Sequence, residues 1–140
     1  MSIQPPIIID TNILFSSFLS INSPFTELIF KSEYNLFVCE LVLVELFKRK
    51  EKIIRLSQLT ENDIIQVYHI LLRRINLYKE DLITIENRSL AYEFCRDVDE
   101  SDTPHVALTL QLQGLLWTGD KKLKAGLKQK GFEYFFEPSL

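Results

Sequence analysis

The sequence predicts an α/β fold, a three-layer α/β/α sandwich around a central, mainly parallel sheet. Three observations carry this reading. Short β-branched or apolar runs alternate with longer segments of helical periodicity. The first run is continuously apolar rather than alternating, as suits a strand buried on both faces. The intervals between runs are long enough to hold the crossover helices that parallel neighbours require.

Taken in order, Ile7, Ile8 and Ile9 form a central strand that ends at Asp10. Ser23 followed by Pro24 is a cap and first-turn signal for a helix running to about residue 31. Residues 36–39 read as a second strand, and residues 41 to about 56 as one helix, apolar at first and strongly basic later. Thr60, Glu61, Asn62 and Asp63 mark a second long helix, on which Ile64, Tyr68, Leu71, Leu72 and Ile75 recur at helical spacing. Residues 82–85 are expected as a strand and 89–97 as a short helix. Thr103 before Pro104 caps the next helix, which presents Val106, Ala107 and Leu110 and is ended by Gly114. Residues 115–118 make another strand, Gly119 and Asp120 lead into a basic helix closed by Gly131, and residues 132–136 supply a last strand.

Composition narrows the class. A chain of 140 residues with 46% hydrophobic and 25% charged residues, four glycines and five prolines reads as one globular domain over 1–140, not a disordered segment. The N-terminal residues lack the basic start and long apolar stretch of a targeting signal, and no run is long enough for a membrane span, so a cytoplasmic protein without a membrane partner is expected. Cys39 and Cys95 are too few for a disulfide framework and lack the spacing of a zinc site. The net charge of −3 gives no global basic bias. Positive charge gathers at residues 48–52, at Arg73 and Arg74, and over 121–130; such runs are ordinarily solvated helix faces.

The acids carry the chemistry. Ligands of open parallel sheets bind beyond the carboxyl ends of the strands. Asp10 directly follows the first strand and Asp120 comes two residues after the strand at 115–118, so both project from one sheet edge. Glu45 is a lone acid within Leu41-Val42-Leu43-Val44-Glu45-Leu46-Phe47, and Asp102 stands before a helix entrance with Asp99 and Asp97 upstream. Each has a plainer reading: Asp10 as a turn residue, Asp120 and Asp102 as helix caps, Glu45 as an exposed helical acid. Taken together, the four would repel one another unless a cation neutralised them, which points to a metal site. Oxygen ligands favour Mg²⁺ or Mn²⁺ over zinc, and carboxylate-held Mg²⁺ suits phosphodiester hydrolysis. His69 is read as a packing or surface residue. So is His105, although its place three residues after Asp102 would let it face the cleft and touch a phosphate.

Asp10-Thr11-Asn12 after an isoleucine-rich strand, Glu45 in an apolar helix, Asp99-x-x-Asp102 before an Ala-Leu-rich helix, and Trp117-Thr118-Gly119-Asp120-Lys121-Lys122-Leu123 together resemble the PIN-domain family over about residues 7–136. The block from Asp99 to Leu123 is the most specific part. The resemblance implies a PIN-like sandwich and an endoribonuclease acting on single-stranded RNA, with Asp10, Glu45, Asp102 and Asp120 as the acids that bind Mg²⁺ or Mn²⁺. Asn12 and Thr118 match its supporting polar positions, and Asp99 competes with Asp102 as direct metal ligand. Many small bacterial relatives are toxins of toxin–antitoxin pairs, so an antitoxin protein joins RNA as an implied partner, and a homodimer is compatible with both. Lys48, Arg49, Lys121 and Lys122 are expected to flank the acids and hold the RNA backbone. Two rivals remain: a non-catalytic PIN-like module that binds RNA or a protein, and a phosphatase or phosphoacceptor domain with Asp10 as nucleophile. Thr11-Asn12 lacks the second aspartate that one such phosphatase family uses.

Overall fold

The structure is a computed structural model that describes residues 4–20, 24–31 and 33–138. Among these residues four parallel strands, β1 (Ile7–Ile9), β2 (Leu36–Cys39), β3 (Ile75–Tyr78) and β4 (Leu115–Trp117), form one sheet in the order β3-β2-β1-β4. Ile7 stands opposite both Leu36 and Leu115, which fixes β1 between its neighbours. Eight helices connect and flank them: α1 (Thr11–Leu19), α2 (Pro24–Lys31), α3 (Leu41–Lys48), α4 (Lys50–Leu56), α5 (Glu61–Arg74), α6 (Ile85–Cys95), α7 (Thr103–Leu112) and α8 (Lys121–Gln129).

The strand order dictates where the helices lie. From β1 to β2 to β3 the chain moves one way across the sheet, and from β3 to β4 it returns past β1. Right-handed crossovers then place α1 to α5 on one face and α6 and α7 on the other. The packing agrees: α1 touches α2, α3, α4 and α5, whereas α7 pairs with α6 and crosses β1, β2 and β4. The three isoleucines of β1 are sealed between these layers with Leu36, Val42, Val106, Leu108 and Leu116. No helix among the described residues is long and apolar enough to cross a membrane.

Several elements differ from the sequence expectation. The expected helix over 41–56 is two, because Arg49 leaves helical geometry at φ −98°, ψ 6°. The strand expected at 82–85 does not form. Residues Glu80–Leu82 make a 3-10 turn, and Thr84 caps α6 by accepting from the Asn87 amide at 3.2 Å. The edge position beside β2 is taken instead by Ile75–Tyr78, which leaves α5 without a loop and lies in full register with residues 36–39. The last strand reduces to a single parallel bridge between Leu116 and Phe135. There the Phe135 amide turns back to the Glu133 carbonyl while Phe132, Phe135 and Phe136 are drawn into the core. Helix α7 starts at Thr103 with Asp102, not Thr103, at the cap position. The expected cap Ser23 lies outside the described residues.

Candidate active site

The connections leaving β1 and β4 diverge to opposite faces of the sheet, and the crevice between two such neighbours is where open α/β sheets bind ligands. Asp10 occupies the end of β1, 4% exposed, in extended geometry. It caps α1 by accepting from the Ile13 amide at 3.1 Å. Burial pushes its carboxyl above the usual carboxylate range against the opposing hydrogen bonds from the Thr118 side chain and from the Ile13 and Asn12 amides, with Asp120 adding to the rise. Thr11 and Asn12 open α1. The Thr11 hydroxyl donates to Glu45 Oε1 at 3.1 Å, and Asn12 Oδ1 accepts from the Arg49 guanidinium at 2.9 Å.

Glu45 reaches this crevice because α3 leaves β2 from the same sheet edge. The break at Arg49 turns that guanidinium back toward Glu45, 3.8 Å away, and over the Phe15 ring. The apolar run around Glu45 is not a buried surround. Leu43, Val44 and Phe47 are exposed, and α3 presents Leu43, Leu46 and Phe47 to an apolar groove of about 310 Å³ shared with α4 and α5. That groove is larger than the acid-lined pocket, yet Lys50 is the one charged residue lining it among the described residues, so the chemistry resides elsewhere.

On the other face, Asp99 is held by the Ser101 amide at 3.0 Å and hydroxyl at 2.6 Å, which keep its carboxyl below the usual range. Asp102 is different. Its side chain makes no cap bond, and burial, with Asp99, Asp10 and Asp120 as neighbouring negative charges, raises it to about 7. Asp120 is exposed and caps α8, accepting from the Lys122 and Leu123 amides at 3.0 and 3.1 Å, while its own amide donates to the Thr118 hydroxyl.

Asp10, Thr11, Asn12, Glu45, Arg49, Asp99, Ser101, Asp102, His105 and Asp120 line one pocket of about 170 Å³. Every acid singled out from the sequence except Asp97 therefore faces the same space. Thr118 lies beneath it, bonded to both Asp10 and Asp120. Of the basic residues expected to flank the acids, Arg49 lines the pocket, whereas Lys48, Lys121 and Lys122 are exposed outside it. The sequence reading missed Thr11 and Ser101 and set His105 aside. Thr11 had a signal, its place beside Asp10, and His105 had one, its place three residues after Asp102, outweighed by the packing reading; Ser101 had none that separated it from an ordinary helix-entry residue.

Five carboxylates against one guanidinium, two of them pushed upward partly by their like-charged neighbours, leave net negative charge that a cation would relieve. The carboxylate oxygens suit a hard divalent ion. As placed, no three acid, histidine or cysteine groups among the described residues are gathered tightly enough to enclose an ion. Asp10 and Asp120 each have Oδ1 committed to a helix cap and their second oxygen without such a bond.

A PIN-domain family profile matches residues 8–135. The chain belongs to the PIN-domain family. Its match begins in β1 and closes at Phe135, so it takes in every pocket residue of this PIN domain. Among solved structures, the crystal structure of VapBC2 from Rickettsia felis, bound to a DNA fragment from the promoter, is similar with a TM-score of 0.60 at 15% identity. The similarity covers 86% of this chain and 92% of that one and shows a shared PIN-like fold. No curated protein matches the sequence. PIN domains are generally nucleases, a class consistent with an acid-lined crevice.

Proposed function

We propose that this PIN domain is a Mg²⁺- or Mn²⁺-dependent endoribonuclease that hydrolyses phosphodiester bonds of single-stranded RNA. The observation that carries the reading is the convergence of five carboxylates, drawn from residues 10 to 120 of the sequence, on one pocket at the switch point of the sheet. Asp10, Glu45, Asp102 and Asp120, with Asp99 at the margin, are the residues that would hold the cation. Bound there, it supplies polarisation of the phosphate and a water deprotonated near neutral pH.

The remaining steps belong to the chain's own residues. Thr118 fixes Asp10 and Asp120 relative to each other, and Thr11 fixes Glu45. Arg49 sits at the mouth on a break between two helices, where it can exchange its Glu45 partner for a backbone phosphate. Lys48, beside Arg49 in the chain, and Lys121 and Lys122, directly after Asp120, are exposed outside the pocket, where they would hold the RNA backbone on either side of it.

The test is cleavage of an unstructured RNA by the purified protein with Mn²⁺, against excess chelator and the Asp10→Asn variant. Asn retains the oxygen that caps α1, so the fold persists. Activity should fall at least ~100-fold, beyond the usual cost of a lost second-shell partner. Undiminished cleavage by Asp10→Asn would overturn the assignment, and RNA binding without cleavage in any divalent metal would favour a non-catalytic PIN-like module. The VapBC2 similarity and the toxin-type relatives support a further reading, a toxin held in check by an antitoxin protein. Expression should then arrest growth through the same carboxylates, with Asp10→Asn relieving the arrest.

A further inference from the structure

Beneath the acids lies a pair that the metal chemistry leaves unused. Cys39, the last residue of β2, places its Sγ 3.4 Å from Nδ1 of His105 on the first turns of α7. Both side chains are buried, Cys39 fully and His105 to 3% exposure. The imidazole nevertheless forms part of the pocket wall. No buried side-chain nitrogen or oxygen among the described residues lacks a partner, and Cys39 is the ring's hydrogen-bonding neighbour, so Nε2 is the nitrogen open to the pocket.

The pair is electrically neutral. Burial holds the imidazole down to about 4 and the thiol up to about 12, so at cellular pH there is neither imidazolium nor thiolate. A neutral imidazole carries one N–H. Either Nδ1–H donates to sulfur and a lone pair faces the carboxylates, or the thiol donates to Nδ1 and Nε2–H faces them. A lone pair turned toward the Glu45 carboxylate, the charge that acts on this ring, is repelled, whereas an N–H turned toward it is attracted.

We propose that His105 is an uncharged hydrogen-bond donor of the acid pocket, its Nε2–H fixed by the Cys39 thiol and presented to a non-bridging phosphate oxygen of the substrate. This rests on the ribonuclease reading for the identity of the acceptor, but not for the tautomer. A neutral donor has a use here that Arg or Lys lacks: it can bind a phosphate oxygen without competing with a divalent cation for the carboxylates. The Thr109 hydroxyl, bonded to the His105 carbonyl at 2.8 Å, ties the His105 backbone further into α7.

Nitrogen NMR of the labelled, metal-free protein at neutral pH reads the tautomer directly. The expected result is a neutral His105 protonated on Nε2 in the wild type and a mixture of tautomers in Cys39→Ala. An Nδ1–H tautomer or an imidazolium in the wild type overturns the proposal, as does a Cys39→Ala spectrum unchanged at this ring. In the complete enzyme with Mn²⁺, His105→Phe should lower kcat ~100-fold, the cost of one lost oxyanion donor. The Mn²⁺-dependent rise in Tm should persist in that variant. Wild-type kcat in His105→Phe overturns the substrate role, and loss of the Mn²⁺ shift would instead make His105 a metal ligand, which also overturns it. Should the wild type cleave no RNA, the ribonuclease reading fails while the tautomer remains decided by NMR.

Discussion

Asp10 serves two ends at once: its Oδ1 closes the first turn of α1, and its carboxyl, also bonded by Thr118, lines the pocket. Asp102 has no such helix-capping role, so its negative charge is mainly a cost to the metal-free fold. Its folded-state value of about 7 stands above the ordinary 3.8, so proton binding favours the native state and the penalty is full above pH 7. Asp102→Asn should therefore raise Tm in chelator at pH 8, by ~3 °C for about 1 kcal/mol once solvent screening is allowed for. The gain shrinks between pH 7 and 4, and in saturating Mn²⁺ the order reverses; thermal melts across that range check both. His105 acts with the opposite sign. Its value of about 4 lies below the ordinary 6.5, so the unfolded chain binds the extra proton and stability is lost as pH falls from 6.5 toward 4. The difference corresponds to about 3 kcal/mol. Because the raised carboxyls gain stability over the same range, the clean measurement is the difference between wild type and His105→Gln, whose acid limb should be flatter.

At the scale of elements, three helices begin at the pocket. Helices α1, α7 and α8 start immediately after Asp10, Asp102 and Asp120, so their positive ends offset part of the acidic charge. For Asp10 and Asp120 the capping and chemical readings, which compete on the sequence, are compatible in the folded chain, whereas Asp102 stands at the cap position without a cap bond. Elsewhere one residue's neighbours decided matters that its own sequence could not. Gly114 reads as the stop of α7, yet Gln113 takes the left-handed turn at φ 53°. What Gly114 provides is room. A Cβ there would collide with the Pro6 carbonyl oxygen and stand 2.8 Å from Ile8 Cδ1. Gly114→Ala should cost about 3 kcal/mol, the upper range for overpacking, and chemical denaturation will show it as a lower midpoint at unchanged slope. The strand at 75–78 was hidden because Ile75 continues the helical spacing of α5, and 82–85 misled because Thr84 serves as a cap. The isoleucines of β1 and the Asp99 to Leu123 block were legible because periodicity, caps and acids agree there. His105 was legible only in part: its spacing from Asp102 pointed to the cleft, but a buried neutral imidazole leaves much the same trace in a sequence whether or not a pocket lies beside it.

Across the whole molecule the pocket has two walls. Asp10, Glu45 and Arg49 come with the helices of one sheet face, and Asp99, Asp102 and His105 with those of the other. The walls meet where β1 and β4 pair, at a ladder that ends with the Asp10 amide donating to the Trp117 carbonyl at 3.2 Å. An ion shared by both walls would bind only the folded arrangement and so would stabilise it by mass action. Amide hydrogen exchange should slow with Mn²⁺ most at the ends of β1 and β4, and least on α5, which contributes no residue to the pocket. Uniform slowing would mean that the ion acts on global stability alone. The switch point thus doubles as a seam, and an ion bound there would work as a rivet: the position with the most crowded negative charge before loading would become the one that most resists the two layers sliding apart.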